Sequence, residues 1–250
     1  MKVVTFNLRH DADRWEERYP LVVDALHEQQ ADVIGLQEVW FPIQQAHMIA
    51  DALNARTPEQ PYSVYVEPKW GEKESVEGVG ILSRLPVLEH ERLELPQGSR
   101  VAQRVIVQTD GQTVHIANTH LHHRPSENES IRLPQMQTLI AWMYERAPGG
   151  WLLTGDMNAQ PESETIAHAR ERLASAYYDV HGDHPYTCPT KLAPDFYTDP
   201  RRLCIDYIFY DRAVFRVTEA AIFANEPHPE DERLYPSDHF GVAAILTPRT

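Results

Sequence analysis

Five apolar, strand-like runs in this 250-residue chain stop at a polar side chain: T-F-N-L at 5–8, L-Q-E-V at 36–39, N-T-H-L at 118–121, G-D-M-N at 155–158 and S-D-H-F at 237–240. Polar groups at strand ends can share one rim of a sheet, whereas the same groups scattered through loops have no reason to meet. The chain therefore has to fold so that several strand ends converge. Each segment alone reads as a turn or cap; the combination carries the information.

The intervening pattern is α/β. Strand-like runs at 3–8, 33–36 and 79–82 alternate with helical stripes, Trp15, Tyr19, Val22 and Leu26 in one segment and Ile43, Ala46, Ala50 and Leu53 in the next. Further strands are expected at 87–95, 101–109 and 113–121, with Asp110-Gly111 as a two-residue hairpin turn. A helix over 130–145 presents Leu133, Met136, Ile140 and Met143 on one face, and Pro148-Gly149-Gly150 breaks it before a strand at 151–154. Strands at 204–210, 214–223 and 241–246 are expected to complete the second of two facing sheets. Segments 57–77, 181–202 and 225–237 read as long surface loops. One domain over 1–250 follows, since a two-sheet α/β core of this size can be continuous.

Lys and Arg number 23 against 37 Asp and Glu, a formal charge of −14. That balance repels polyanions unless metal ions or local Arg clusters reverse the potential at the site. Only Cys188 and Cys204 are present, so no disulfide framework is indicated, and no run of eighteen apolar residues occurs. A soluble, cytoplasmic monomer is the expectation, provided no leader preceded Met1.

Asn7, Glu38, His120, Asp156 with Asn158, Asp206 in R-L-C-I-D-Y-I-F-Y, and Asp238 with His239 match in order the motifs of the endonuclease/exonuclease/phosphatase superfamily, which the chain resembles over nearly its whole length. That superfamily includes deoxyribonuclease I, apurinic endonucleases, deadenylases and sphingomyelinases. The resemblance implies a four-layer α/β/β/α sandwich of two facing mixed sheets, with the site where both sheets open. It also implies that Asn7, Glu38 and Asp238 bind metal. Hard oxygen donors without thiolates point to Mg²⁺ or Mn²⁺.

In this reading Asp156 activates the attacking water and Asn158 orients the nucleophile or the phosphate. His120 and His239 hold phosphoryl oxygens, and Asp206 fixes the His239 tautomer. The stretch V-G-I-L-S-R-L-P at 79–86 extends the resemblance; its Arg84, and His122 or its neighbour His123 beyond the His motif, are candidate substrate contacts. The phosphate-contacting Tyr of several nuclease branches has no clear equivalent, and Arg84, Tyr65 or Trp70 could take its place. Arg104, Arg132 and Gln135 read as solvated surface residues. His181, His184 and Cys188 lack a fourth, matched donor for structural zinc.

Acidity favours a small or lipid-linked phosphoester as substrate. The alternative is a nuclease on DNA or RNA, for which Arg100 with Arg104 and Arg201 with Arg202 are the hints of a basic groove. A third reading, a binding module that keeps the fold without the chemistry, is opposed by the intact acid, amide and imidazole positions.

Overall fold

The structure is a computed structural model that describes residues 1–71, 75–109, 111–125, 128–192 and 202–249. The chain opens with a βαβ unit: β1 (Lys2–Asn7) and β2 (Val33–Trp40) pair in parallel and are joined by α1 (Trp15–Gln29). α2 (Gln45–Arg56) then leads to β3 (Ser63–Pro68) and β4 (Glu77–Ser83). Next, β5 (Val87–Glu94), β6 (Val101–Thr109) and β7 (Gln112–His120) form an antiparallel meander. Asp110 of the expected hairpin turn lies outside the described residues.

A second βαβ unit follows, in which α3 (Arg132–Arg146) carries the chain from β7 to the parallel β8 (Trp151–Asp156). The remainder comprises α4 (Glu164–Arg170), β9 (Ala174–Ser175), α5 (Ala176–His181), β10 (Asp206–Tyr210), β11 (Phe215–Phe223) and β12 (Gly241–Pro248).

Two six-stranded mixed sheets result, in the orders β11-β12-β1-β2-β4-β3 and β5-β6-β7-β8-β10-β9. Period-two alternation decides their faces. Val3, Val33 and Ile81 of the first sheet meet Val105, Ile116, Leu152 and Ile208 of the second in the middle layer. Their neighbours Val4, Phe6 and Ile34 point outward under Val22 and Leu26 of α1 and Ile49 and Leu53 of α2. On the other outer face, Met136, Leu139 and Met143 of α3 cover Ala117, Leu153 and Phe209. The molecule is therefore the α/β/β/α sandwich that the strand-end motifs imply.

Two expectations need correction. β11 and β12 belong to the first sheet, because β12 runs antiparallel beside β1, with Thr5 opposite Val242. A strand pattern reveals an element but not its partner. Segment 57–77, expected to be a loop, contains β3, whose Val64 and Val66 pack under the helices while Tyr65 faces the other sheet. In the 181–202 loop, residues 193–201, including Phe196 and Tyr197, lie outside the described residues. Among the described residues, no helix is long and apolar enough to cross a membrane.

A polar bridge crosses the apolar middle layer beneath the site. Gln37 Nε2 donates to Asn118 Oδ1 (2.7 Å) and Thr5 Oγ1 (3.0 Å); Asn118 Nδ2 donates to the Leu36 and Gly80 carbonyls (both 2.9 Å), and Thr154 Oγ1 to Asn118 Oδ1 (3.1 Å). All four side chains are fully buried, so these bonds replace lost water contacts. A Cβ on Gly35 would lie 2.3 Å from Thr154 Oγ1, so only glycine lets the sheets approach this closely here.

Candidate active site

The two parallel pairs deliver their carboxyl ends to the same edge of the sandwich. Asn7 ends β1 beside Gln37 of β2, and His120 ends β7 beside Asp156 of β8. Antiparallel neighbours arrive from the opposite direction: Asp206 opens β10 opposite Asp156, while Asp238 and His239 immediately precede β12. Glu38 needs a special device. β2 slips register against β4 between Leu36 and Val39, and Glu38 takes a left-handed φ of 52°. The bulge turns a side chain out of its regular alternation, sending Gln37 inward and Glu38 to the cleft.

Asn7 Nδ2 donates to Asp156 Oδ2 at 3.0 Å and Glu38 Oε1 at 3.3 Å. His120 Nε2 lies 3.4 Å from Asp156 and 4.0 Å from Glu38, and the Asn158 amide nitrogen is 3.0 Å from the same imidazole atom. His239 Nδ1 sits 2.9 Å from Asp206, with its Nε2 3.9 Å from Asp156. Seven expected residues, Asn7, Glu38, His120, Asp156, Asn158, Asp206 and His239, thus form one connected group. Glu38, His120 and Asp156 each offer a ligand atom within 4.8 Å of the others, as do Asp156, Asp206 and His239.

Burial and crowding set the charges. Glu38 is raised above the usual carboxyl range by burial, then by Glu77 and Asp238. Asp156 is pushed up to about 7 by burial and Asp206. A buried and a half-buried carboxyl that both resist ionisation beside each other are what a divalent cation would relieve, so the donor set fits a hard metal ion. Burial opposes protonation of His239, but Asp206, with Cys188 and Asp238, outweighs it and raises the imidazole well above its ordinary value. His120 shifts well below its ordinary value, through burial and the nearby Arg100 and Lys69, and is neutral.

Some side chains take positions that their motifs do not foretell. The Asp238 carboxylate is paired with Arg9 Nη1 at 2.7 Å, at the edge of the group. Asn7, expected as a metal ligand, turns its amide nitrogen to the two carboxylates while its Oδ1 accepts from the Arg9 amide at 2.9 Å. Arg84 is not brought to the site: it stacks 4.5 Å over the Tyr62 ring and donates to Gln30 and Thr57. His122 packs on the Gly98 turn with Nδ1 2.6 Å from the Arg124 carbonyl, and its neighbour His123 lines the cleft instead. Trp70 donates its indole N–H to the Leu95 carbonyl, and Tyr65 packs edge-on to His90; both are packing residues.

The group opens into a cleft of about 680 Å³. Its lining includes Arg9, Lys69, Arg100, Arg124 and Arg132 against six carboxylates, so a protein of formal charge −14 is almost balanced here. Sequence reasoning missed Arg9 and Lys69. Arg9 stands two residues after Asn7, and Lys69 directly follows β3, pairing with Glu77 at 2.5 Å. Arg132 and Gln135, expected on a solvated helix surface, are buried, and so is Arg104, between Glu91 and the Trp142 and Trp151 rings. The discounted zinc set stays apart: His181 bonds the Ala220 carbonyl and His184 stacks on Tyr178.

Known proteins agree with this architecture. The chain is similar to Nocturnin of Rattus norvegicus, 24% identical over 257 residues, an alignment that takes in 93% of this chain and 58% of that protein. It thus spans little more than half the length of that relative. Among solved structures, the human Nocturnin catalytic domain with bound sulfate superposes with a TM-score of 0.76 at 21% identity, covering 100% of this chain and 94% of that one. A mannosyl-6-phosphatase of Bacteroides thetaiotaomicron gives 0.78 at 18% identity, covering 99% of both. At such identities the superpositions establish the fold. The model of the Endonuclease/Exonuclease/phosphatase family matches residues 4–239, which carry every member of the connected group, and the chain belongs to that family.

Proposed function

We propose that the protein is a Mg²⁺- or Mn²⁺-dependent hydrolase of small or lipid-linked phosphoesters. The observation that carries this reading is the convergence of Glu38, Asp156, His120 and the Asp206–His239 pair at one cleft. Glu38 is the proposed holder of the ion, with Asn7 and Asp238 flanking it. When bound, the ion supplies Lewis-acid polarisation of a phosphoryl oxygen.

Asp156 accepts a proton from the attacking water, whose oxygen forms the new bond to phosphorus as the ester P–O bond breaks. Asn158 is fixed by its bonds to the Leu121 carbonyl and His120, which orients its amide toward the reacting group. His120, kept neutral, serves this positioning. His239, protonated beside Asp206, donates to the phosphoryl oxygen on which charge accumulates. The proton that Asp156 took from the water is released through solvent to the departing alkoxide, leaving an alcohol and phosphate from a monoester, or an alcohol and a phosphomonoester from a diester.

The cleft favours a compact substrate over a polynucleotide. Of the four arginines that the sequence offers for a basic groove, Arg100 lines the cleft, Arg104 is buried, Arg202 lies over the Tyr186 ring and Arg201 is outside the described residues, and the five basic side chains of the lining face six carboxylates, which leaves no net positive field for a polyanion. The test is a panel of sugar phosphates, nucleotides, phosphodiesters and short single- and double-stranded nucleic acids, each with Mg²⁺ or Mn²⁺. Hydrolysis of a small ester that collapses in Glu38→Ala and His239→Ala is expected. Faster cleavage of the nucleic acids, or turnover untouched by Glu38→Ala, would overturn the reading.

A further inference from the structure

Arg18 occupies the first turn of α1 on the face that also carries Val22 and Leu26, a position where helical spacing asks for an apolar residue. It is fully buried, and every hydrogen bond of its guanidinium goes to a main-chain carbonyl. The shortest reach Ala12 (2.6 Å), Pro236 (2.8 Å), Asp13 (2.9 Å) and Leu8 (3.0 Å); longer ones reach His10 (3.3 Å) and Arg9 (3.4 Å). Burial lowers its pKa to about 10, so it stays charged at neutral pH, hydrogen-bonded to carbonyls and favoured by the nearby carboxylates of Asp238 and Asp13.

Those carbonyls belong to two separate pieces of chain. One is the loop from Leu8 to Arg14, which leaves the cleft directly after Asn7. The other is Pro236, two residues before Asp238. The loop is not self-supporting: Arg9, His10, Asp13 and Arg14 all have left-handed φ angles, from 33° to 66°, which are unfavourable for residues with a Cβ. Such a conformation persists only when its surroundings over-determine it. Arg9 bonds Asp238 from within this loop, and the His10 amide donates to the Glu38 carbonyl at 3.1 Å.

We propose that Arg18 is a positioning residue for the ion-holding side of the cleft: its buried guanidinium clamps the loop after β1 and the segment before β12 into one frame, keeping Asn7, Glu38 and Asp238 in mutual register. Lys is a poor substitute, because three donors on a single nitrogen cannot reach carbonyls spread around a planar fork. The inference rests on the metal-dependent reading for its ligand, but the clamp itself is observable in the ion-free chain.

The experiment compares native protein with Arg18→Lys and Arg18→Met. Mn²⁺ binding is measured without substrate by electron paramagnetic resonance, and amide hydrogen exchange is followed residue by residue. In Arg18→Lys the dissociation constant for Mn²⁺ should rise about tenfold, the range seen when groups that orient metal ligands are removed. Exchange should accelerate at the Leu8, Arg9, His10 and His239 amides while the amides of β7 and β8 are unchanged. A folded Arg18→Lys with native Mn²⁺ affinity and native exchange at those amides would overturn the clamp.

The native protein gives an independent answer if both variants unfold. Its Leu8, Arg9, His10 and His239 amides should open with one shared free energy, and two unrelated values would refute the frame. A native chain that binds no Mn²⁺ would instead refute the proposed function, leaving the exchange result to decide on Arg18.

Discussion

After β1 the chain runs from Asn7 through a loop at 8–14 into α1; between β7 and α3 the described residues 121–125 and 128–131 connect the two elements, and an arginine at the start of each helix bonds the segment before it. The two arginines reach different partners. Arg18 bonds only carbonyls, one of them Pro236 from the far end of the chain. Arg132 stays within its own loop, donating to the carbonyls of Pro125 (2.7 Å) and Asn128 (2.6 Å) and to the Glu129 carboxylate (2.7 Å). Glu129 in turn accepts from the Thr165 hydroxyl at α4. The first loop is thus locked to the segment bearing Asp238 and His239. The second is held by Arg132, by Glu129 to α4 and by Gln135 to the turn after β5, away from the segment that bears Asp238, so a change in the wall carrying His123 and Arg124 is expected to leave Glu38 in place.

Breaking the ion-holding side should cost most. Glu38→Ala is expected to lower kcat by at least about 100-fold, since several kcal/mol of transition-state charge stabilisation would depend on the ion it is proposed to hold. Mn²⁺ titration of the same variant should show the site lost, and native affinity there would assign the ion elsewhere. Chelation of the native protein should reproduce the loss, with activity returning on added Mg²⁺.

On the opposite side, Asp206→Asn should leave Mn²⁺ affinity intact while lowering kcat about 10- to 100-fold. The sign of its pH effect is fixed. Asp206 raises the His239 pKa, so its removal lowers that pKa, and the alkaline limb of the rate profile, where the imidazolium is lost, moves to lower pH. A stationary limb would sever the pair from the chemistry.

Asn118→Ala tests whether the halves share one support. It strands the groups now bonded to a buried amide and should destabilise the fold by about 3 kcal/mol in urea titration. A loss below about 1 kcal/mol would mean that the bridge adds little to stability. The smallest effect is expected from Arg132→Met, a rise in KM of about three- to tenfold with kcat and Mn²⁺ affinity unchanged. If Mn²⁺ affinity fell instead, the contrast between the two loops would fail.

Much of this site is legible from residue order because strand ends are legible. Asn7, His120 and Asp156 each close an apolar run, and the β-α-β connections then force the carboxyl ends of parallel neighbours to one edge. Glu38, inside β2, reaches the same edge through a bulge, and Asp206 does so by opening an antiparallel strand. What escapes is set by tertiary pairing. That β12 joins β1 depends on a partner more than two hundred residues away, and β3 hides in a short segment whose two faces are both partly apolar.

Lys69 and Arg9 reach the cleft from positions that no periodicity marks. Arg18 and Arg132 are a different case. Each stands on a core-facing helical stripe, Arg18 before Val22 and Leu26, Arg132 before Met136 and Met143, and a cation at an apolar position signals a charge with buried work to do. Arg84 is the converse: its motif runs along β4, but the side chain beyond the strand end turns to Tyr62 on the outer face.

The Gln37–Asn118 bridge, with Gly35 leaving room for Thr154, has a bearing on how such a protein can diversify. A larger residue at that glycine would wedge the sandwich open and pull Glu38 away from Asp156, so the rivet tolerates almost no tinkering. New preferences for the esterified group would have to be written in the surrounding connections, which makes the exposed His123 and Arg124 beyond Leu121 the natural place for foreign side chains while the floor of the catalytic chamber stays as it is.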